Sequence, residues 1–342
     1  MKAVFFNEHG GPDKLIYGDL NDPLINSGEV LVSVRACALN FLDIWGRRGL
    51  QGIRIPFPHV AGSDVAGEVA AVGELGRHFS TGQRVLLFPA LSCGRCIHCL
   101  SGWDSLCRSY QVLGFQTDGG YAELIKVPAL NVIPIPQDKD FEEAAALPLV
   151  FLTAWHMLVT RCRIKVGEEL LVLGAGSGVG HAAIQIGKLH GARVIATAGS
   201  EDKLEKARRL GADETINHSR QDILEEVRKL TGKRGVDVVF EHVGDATFEK
   251  SVLSLAPGGR LVTCGATTGF SAKLDLRYLF SRQLSLLGSY MGSKSEMLEV
   301  VRLWEQGRLT PIVDSVFPLR EAAQAQQRME ERGHFGKVVL RV

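Results

Sequence analysis

The chain has 342 residues, of which 45% are hydrophobic and 23% charged, and its formal net charge is +1 at pH 7. A charge this close to zero provides no general attraction to nucleic acid or to an anionic membrane, and no apolar run approaches the length of a membrane span. We therefore expect a two-domain enzyme with a small-molecule substrate, and neither nucleic acid nor a membrane as its partner.

The first part of the chain, up to about Pro136, consists of short predicted strands interrupted by Gly and Pro. The clearest are Glu29–Val34, Val65–Val72 and Arg84–Phe88, a rhythm typical of a β-rich, barrel-like domain. Residues 1–10 lack the apolar stretch and small-residue cleavage site of a signal peptide. We therefore expect a cytoplasmic chain with reduced cysteines.

Four cysteines near the end of this part follow a C-x2-C-x2-C-x7-C pattern: Cys93, Cys96, Cys99 and Cys107. Four thiolates close the coordination shell of one structural Zn²⁺, so a zinc lobe at 93–107 would hold a loop together and do no chemistry. Iron–sulfur and disulfide interpretations stay open but are less favoured. The ferredoxin pattern has Pro after its fourth Cys, where this chain has Arg108, and disulfides need an oxidising compartment.

From Phe141 onward the pattern changes to apolar helices that alternate with buried strands, which predicts a doubly wound parallel sheet in the α/β class. The predicted elements are a helical segment at 141–159 and strands at 170–173, 193–197, 214–216, 236–240, 260–264 and 284–288. Helix 296–306 and the closing strand 337–342 are expected to return to the first domain. The predicted domains are therefore 1–140 with 291–342, and 141–290.

The strand at 170–173 runs into a glycine-rich turn and then a helix, the context that a dinucleotide fingerprint requires. Small residues let the backbone approach the pyrophosphate, whose charge is met by the N–H groups at the start of the helix. The candidate cofactor-binding residues of this turn are Ala175, Gly176, Ser177, Gly178, Val179 and Gly180.

The end of the next strand distinguishes the two nicotinamide cofactors, because an NAD site places an acidic residue there for the ribose hydroxyls. Here the strand ends with Thr197-Ala198-Gly199-Ser200, and no acid is present. Ser200 and Lys203 are candidates to hold a 2′-phosphate, so NADP(H) is favoured. NAD(H) stays possible, because Glu201 and Asp202 follow closely.

The cysteine cluster, the dinucleotide loop and the domain order together resemble the medium-chain dehydrogenase/reductase superfamily over essentially the whole chain. Segments that look like its quinone oxidoreductase branch are Ala38–Asp43, Gly62–Gly67, Ala144–Pro148 and Phe335–Leu340. The cysteine cluster looks like the zinc-containing alcohol dehydrogenase branch, where this lobe binds structural zinc. The resemblance implies a GroES-like β-barrel catalytic domain and a Rossmann nucleotide-binding domain.

Zinc alcohol dehydrogenases hold a second, catalytic zinc through a Cys, a His in Gly-His-Glu, and a later Cys, Asp or Glu. Only Cys37 matches this set, because Ser63 stands at the His position and Leu149 at the third position. Leu39 replaces the hydroxyl that would relay the substrate proton, and His59 lies four residues out of register. One ligand of three cannot hold an open zinc site. The resemblance therefore implies structural zinc without catalytic zinc.

Without catalytic zinc, hydrogen bonds must polarise the acceptor carbonyl while the nicotinamide supplies the hydride chemistry. The resemblance implies that Asn40 and Asp43 position the acceptor or the nicotinamide ribose, and that Thr153 bonds the nicotinamide end. Asp43 has an alternative role in an ion pair with Arg47 or Arg48 on the next helical turn.

These observations predict an NADP(H)-preferring oxidoreductase that transfers hydride between nicotinamide and a carbonyl, quinone or enone substrate. One alternative is a zinc-dependent alcohol dehydrogenase that interconverts alcohols and aldehydes, with catalytic zinc bound by Cys37 and His59 and with Asp64 as a candidate third ligand. Another is a non-catalytic NADPH-binding sensor. The apolar strand Leu284–Leu287, at a predicted sheet edge, favours a homodimer or homotetramer. The substrate itself is left open.

Overall fold

A computed structural model describes residues 1–50 and 52–342 of the chain. The chain divides into two compact units, the first formed by Met1–Leu149 with Thr310–Val342 and the second by Val150–Leu309. The sequence predicts boundaries after residues 140 and 290, and the structure places both boundaries later in the chain.

The strands alternate with turns in the first unit and with helices in the second. In chain order they are β1 (Lys2–Phe6), β2 (Ile16–Asp19), β3 (Glu29–Ala38), β4 (His59–Val60), β5 (Asp64–Val72), β6 (Arg84–Leu87), β7 (Ala90–Leu91), β8 (Gln111–Val112), β9 (Leu124–Pro128), β10 (Val132–Pro134), β11 (Glu169–Val172), β12 (Arg193–Ala198), β13 (Glu214–Asn217), β14 (Val236–Glu241), β15 (Leu255–Thr263), β16 (Ser285–Gly288), β17 (Val313–Pro318) and β18 (Lys337–Arg341).

The α-helices are concentrated after residue 140. In chain order they are α1 (Phe41–Arg48), α2 (Ile97–Leu100), α3 (Phe141–Ala145), α4 (Pro148–Trp155), α5 (Gly178–Leu189), α6 (Glu201–Arg209), α7 (Ile223–Leu230), α8 (Asp245–Leu253), α9 (Leu276–Ser281), α10 (Lys294–Glu305) and α11 (Ala322–Glu330). None of the helices in the described part of the chain combines the length and the apolar character that crossing a membrane requires.

Two helices explain why the unit boundaries differ from the prediction. Helix α3 belongs to the first unit, where Arg341 Nε donates to Glu142 Oε1 at 2.7 Å. Helix α10 belongs to the second unit, where Glu296 Oε1 lies 2.9 Å from His156 Nδ1. Helical periodicity identifies both helices but does not say which sheet each one packs against.

The predicted helical segment at 141–159 is confirmed and consists of α3, α4 and the start of a π-helical turn at His156–Arg161. Pro148 is the first residue of α4. Proline has no N–H to continue the preceding helix, whereas its fixed φ suits the first position of a new one. Pro148 therefore divides the segment into two helices.

The first unit is built around a sheet in the order β10-β6-β5-β3-β18-β17, with β9 also paired to β3. The last strand of the chain, β18, runs antiparallel to β3 with Val339 opposite Ala38. The same strand runs parallel to β17 on its other side. This insertion brings the end of the chain beside the loop that follows β3, where candidate site residues lie.

The second unit contains the predicted parallel sheet, in the order β13-β12-β11-β14-β15-β16. Its core consists of buried residues from the strands and from the helices packed against them, including Leu171, Ile195, Val227, Val239, Val252 and Leu261. The chain leaves β11 on one side toward β12 and returns beside β11 as β14. The carboxyl ends of β11 and β14 therefore form the switch point at which such sheets bind ligands.

A buried guanidinium ties the helices of the first unit together. The fully buried Arg47 in α1 donates to Gln326 Oε1 at 2.7 Å, Glu330 Oε1 at 2.5 Å and the Gly10 carbonyl at 2.8 Å. Three directional partners satisfy a cation that would otherwise be costly to remove from water. Arg47 thus connects α1, α11 and the N-terminal loop.

We predict that Arg47→Met lowers the free energy of unfolding by about 3–5 kcal/mol, since it leaves buried polar partners without their cation. Arg48 is the matched control, because it contacts the same Glu330 carboxylate at 3.0 Å but its side chain is 57% exposed. Arg48→Met is expected to cost less than about 1 kcal/mol. Urea unfolding followed by circular dichroism measures both, and equal losses would contradict the assignment.

Candidate active site and metal centre

The four cysteines of the predicted zinc lobe converge on one point. Their Sγ atoms all lie within 4.8 Å of one another, with Cys99 3.9 Å from Cys93 and 3.5 Å from Cys96. A tetrahedral zinc with Zn–S bonds of about 2.3 Å has sulfur–sulfur edges of about 3.8 Å. The sulfur cage therefore fits zinc, and Cys93, Cys96, Cys99 and Cys107 are the residues that would hold the ion.

Local backbone geometry builds this cage. Gly94 and Gly102 adopt positive φ values of 69° and 79°, which let the chain reverse between the cysteines. Hydrogen bonds from the backbone N–H groups of Arg95 and Cys96 lower the pKa of the Cys93 thiol to about 6. Partial burial and the neighbouring Cys96 raise the pKa of Cys99 to about 11. Metal binding would expel the proton that Cys99 otherwise keeps.

A second constellation, entirely buried, lies where β18 inserts beside β3. Lys337 Nζ donates to Asp64 Oδ2 at 2.9 Å and to Asn40 Oδ1 at 2.7 Å. Asn40 Nδ2 donates to the same Asp64 oxygen at 2.9 Å, and the Leu149 N–H donates to Asp64 Oδ1 at 2.8 Å. The Lys337 and Asp64 side chains are only 2% and 0% exposed. Their charges are compensated by each other and by these amide donors.

The predicted site residue Asp43 lies beside this ion pair. Its Oδ2 accepts from the Asn40 N–H at 2.8 Å and the Tyr121 hydroxyl at 3.1 Å, and its Oδ1 accepts from the Gly62 N–H at 3.2 Å. Burial raises the pKa of Asp43 to about 6, against the opposing effects of the Asn40 hydrogen bond and the Lys337 charge. Asp43 thus fixes the backbone of the loop before β5.

The alternative pairing of Asp43 with Arg47 or Arg48 is wrong. Both arginines bind Glu330 of α11 instead, at 2.5 and 3.0 Å. The Asn40 N–H donates to Asp43 Oδ2 at the start of α1, so the carboxylate turns back toward the N-terminus of the helix. An i, i+4 spacing permits an ion pair, but here the cap and Tyr121 satisfy the carboxylate.

The positions that a catalytic zinc would use are occupied by packing. A Cβ at Gly62 would lie 2.7 Å from the sulfur of Cys37, so the thiol is enclosed by backbone. Burial and the nearby Asp43 carboxylate hold the pKa of Cys37 well above its usual value. His59 Nε2 lies 3.1 Å from the Gly114 carbonyl. Within residues 1–50 and 52–342, Cys37 and His59 belong to no group that offers three metal-binding atoms to one point.

The predicted cofactor residues at 175–180 form the end of the turn after β11 and the first residues of α5, and together they are called the turn at 175–180. Ser177 caps the helix, because its Oγ accepts from the Gly180 N–H at 2.9 Å. Gly180 is required there, since a Cβ would lie 2.3 Å from the Gly174 carbonyl oxygen. The turn therefore presents the free N–H groups of α5 at the switch point of the sheet.

The predicted 2′-phosphate residues lie at the start of α6, next to the end of β12. Ser200 is the N-cap residue of α6, but its side chain makes no capping hydrogen bond. The two acids that offered an NAD alternative are both engaged. Glu201 Oε1 accepts from Asn217 Nδ2 at 2.5 Å, and Asp202 pairs with Lys206 at 2.9 Å.

Two residues of the site are not predicted from the sequence. Lys337 is the cation of the buried constellation, and His242 lies under the phosphate turn with Nε2 2.8 Å from the Leu173 carbonyl oxygen. The sequence does contain a signal for His242, because this residue follows β14 and the ends of β11 and β14 come together in a doubly wound sheet.

The three predicted catalytic residues lie in different units. Asn40 and Asp43 meet in the first unit, whereas the buried Thr153 lies on α4 in the second.

Residues 26–137 match the family model of the alcohol dehydrogenase GroES-like domain, and residues 178–306 match that of the zinc-binding dehydrogenases. Rattus norvegicus quinone oxidoreductase is 30% identical over 99% of this chain and 97% of its own length. Crotonyl-CoA carboxylase/reductase of Cereibacter sphaeroides is 33% identical over 97% of this chain and 84% of its own. A crystal structure of an NAD-dependent alcohol dehydrogenase is 49% identical with a TM-score of 0.97, over 100% of both chains.

The first unit therefore contains a GroES-like domain, and the second unit has a Rossmann-like parallel sheet with a dinucleotide-type turn after β11. Both features and the full-length likeness to quinone oxidoreductases and dehydrogenases agree. The chain belongs to the medium-chain dehydrogenase/reductase superfamily and is an NAD(P)-dependent oxidoreductase.

Proposed function

We propose that this enzyme transfers hydride from NADPH to a quinone, an enone or another α,β-unsaturated carbonyl, with structural zinc in the cysteine lobe and no catalytic zinc. The observation that carries the proposal is the buried Lys337–Asp64 pair. Asp64 is the candidate third zinc ligand of the alcohol dehydrogenase alternative. Both of its oxygens already accept hydrogen bonds, and one of them faces a buried ammonium.

A catalytic zinc would have to displace this ammonium from Asp64 or share the carboxylate with it, and both changes are energetically costly. Lys337 is almost fully buried, so expelling it from Asp64 leaves an unpaired charge in the interior. The Cys37 thiol would also have to lose its proton in a site where burial favours the neutral form. These two costs favour hydride transfer that proceeds without a metal at the reacting carbonyl.

The nicotinamide supplies the hydride when it is bound, and the residues of this chain bind and orient it. We assign the turn at 175–180 to the pyrophosphate and Thr153 to the nicotinamide end. Asn40 and Asp43 have their hydrogen-bonding atoms engaged within the first unit, which favours a positioning role for both. The cysteine lobe with zinc would be coordinatively closed and would only hold its loop.

Named relatives support two chemistries. Quinone oxidoreductase and crotonyl-CoA carboxylase/reductase are names of enzymes for conjugated carbonyl acceptors, in keeping with the proposal. The solved NAD-dependent alcohol dehydrogenase, at 49% identity, favours a second candidate, the interconversion of alcohols and aldehydes with NAD. The substrate assay below separates the two.

We predict that purified enzyme oxidises NADPH when it is given 1,4-naphthoquinone or 3-penten-2-one, followed as the loss of nicotinamide absorbance at 340 nm. Primary alcohols with NAD⁺ or NADP⁺ are expected to give no turnover, because no metal is available to lower the pKa of the alcohol. Heat-denatured enzyme controls for direct reduction of the quinone by NADPH.

Each other outcome of this assay contradicts the proposal in a different way. Oxidation of ethanol or benzyl alcohol with NAD⁺ would move the assignment to the alcohol dehydrogenase candidate. NADPH binding without turnover of any acceptor would instead indicate a cofactor-binding sensor.

The start of α6 carries the cofactor preference. We propose that Ser200 and Lys203 hold the 2′-phosphate of NADP(H), because Ser200 leaves its hydroxyl out of the helix cap. Glu201 and Asp202, the acids that would receive the ribose hydroxyls of NAD, are held by Asn217 and Lys206. The ammonium of Lys203 and the hydroxyl of Ser200, just after β12, suit a phosphate better than the two hydroxyls of a ribose.

We predict that Lys203→Ala raises the Kd for NADPH about tenfold and leaves the Kd for NADH within about twofold, as expected for one charge-assisted hydrogen bond. Arg209→Ala is the matched control, on the same helix, 75% exposed and paired with Glu205 at 3.3 Å, and should change neither value. Fluorescence titration of the reduced cofactors measures all three proteins. Equal weakening of NADH and NADPH in Lys203→Ala, or tighter binding of NADH by the wild type, would overturn the assignment.

The second unit leaves β16 at the edge of its sheet. We propose that a homodimer forms by pairing this edge with the same strand of a second copy, because an uncovered strand edge is a template for association. Such pairing would extend both sheets about a twofold axis and would not need the cysteine lobe.

A further inference from the structure

We propose that His242 is a positioning residue that aims the hydroxyl hydrogen of Ser177 at the pyrophosphate of the bound dinucleotide. The inference rests on the assignment of the turn at 175–180 to the cofactor. It is independent of the acceptor substrate and of any catalytic zinc.

His242 directly follows β14, the strand that lies beside β11 in the sheet. Its ring lies under the start of the phosphate turn, since a Cβ at Gly174 would be 3.1 Å from both Cε1 and Nε2. The imidazole thus lies at the switch point, beside the residues that lead into α5. A larger residue at position 174 would displace the ring.

The hydrogen bonds of the ring fix its tautomer. Nε2 lies 2.8 Å from the Leu173 carbonyl oxygen and 3.3 Å from Ser177 Oγ. A carbonyl oxygen only accepts, so Nε2 must carry the hydrogen and cannot accept one from Ser177. Burial lowers the pKa of His242 and keeps the ring neutral, although the adjacent Glu241 opposes this effect.

Among the described residues, Ser177 Oγ therefore accepts one hydrogen bond and has no acceptor recorded for its own hydrogen. The Gly180 N–H donates to it at 2.9 Å, and His242 Nε2, which donates to the Leu173 carbonyl, lies 3.3 Å away and has no lone pair to accept the serine hydrogen. The serine hydrogen must be directed to a third partner, away from both donors. The ligand that the N-terminus of α5 attracts is an anion, which accepts such a hydrogen.

Glu241 does not compete for this role. Its fully buried carboxylate accepts from the Val243 and Gly244 N–H groups and from the hydroxyls of Thr247 and Ser251. These bonds fold the segment after β14 back on itself. The backbone of Glu241 and Val243 thereby holds His242 at the level of the phosphate turn.

We predict that Ser177→Ala and His242→Leu each raise the Kd for NADPH about tenfold, the effect of one hydrogen bond to a charged group. Because the two residues act through one hydrogen bond, the double variant should be no more than about twofold weaker than the poorer single variant. His242→Gln, which retains an N–H donor near the Nε2 position, should bind NADPH within about threefold of wild type. Ser177→Thr, which retains the hydroxyl, serves as the second rescue.

Nicotinamide fluorescence measures these Kd values, and ADP-ribose titrated by calorimetry tests whether the change lies at the pyrophosphate. The same fold-changes with ADP-ribose are expected, since it carries the pyrophosphate and lacks the nicotinamide. Thermal unfolding establishes that each variant is folded before binding is measured. The proposal would be overturned if the fold-changes in Kd of the two single variants multiply in the double variant. It would also be overturned if His242→Gln weakens NADPH binding as much as His242→Leu does.

Discussion

An ammonium and a carboxylate, both withdrawn from water, meet in the first unit where the last strand of the chain inserts beside β3. The desolvation of two charges is compensated only because Asn40 and the Leu149 N–H complete the hydrogen bonds of Asp64. Removing either charge leaves the other unpaired in the interior. Asn40, which bonds both charged groups, also donates its backbone N–H to Asp43, and Asp43 in turn holds the loop before β5.

The same ion pair explains why this chain has residues for a structural zinc but not for a catalytic one. In the cysteine lobe, glycine turns and backbone N–H groups bring four sulfurs to spacings that suit one ion. Near Cys37 the fold instead buries a neutral thiol and gives the available carboxylate to Lys337. We propose that this chain would hold a structural zinc in its cysteine lobe and would transfer hydride without a catalytic zinc.

Local sequence predicts the features that depend on neighbouring residues. The cysteine spacing, the glycine turn after β11 and the alternation of helices and strands all act over short distances, and the structure contains each of them. The contact between Lys337 and Asn40 joins residues 297 positions apart, so no local pattern reveals it. Arg47 also matched an i, i+4 rule toward Asp43, but α11 supplied a better partner from the end of the chain. The errors thus lie where tertiary contacts override local preference.

The most direct test of a single, structural zinc is zinc per chain measured together with reductase turnover, in wild type and in Cys37→Ala purified without chelator. One sulfur cage in the described residues predicts one zinc per chain in both proteins. Turnover in the variant should stay within a few-fold, since Cys37 only fills space. Two zinc ions in the wild type, with one ion and the activity both lost in Cys37→Ala, would contradict this account and make Cys37 a ligand of a catalytic metal.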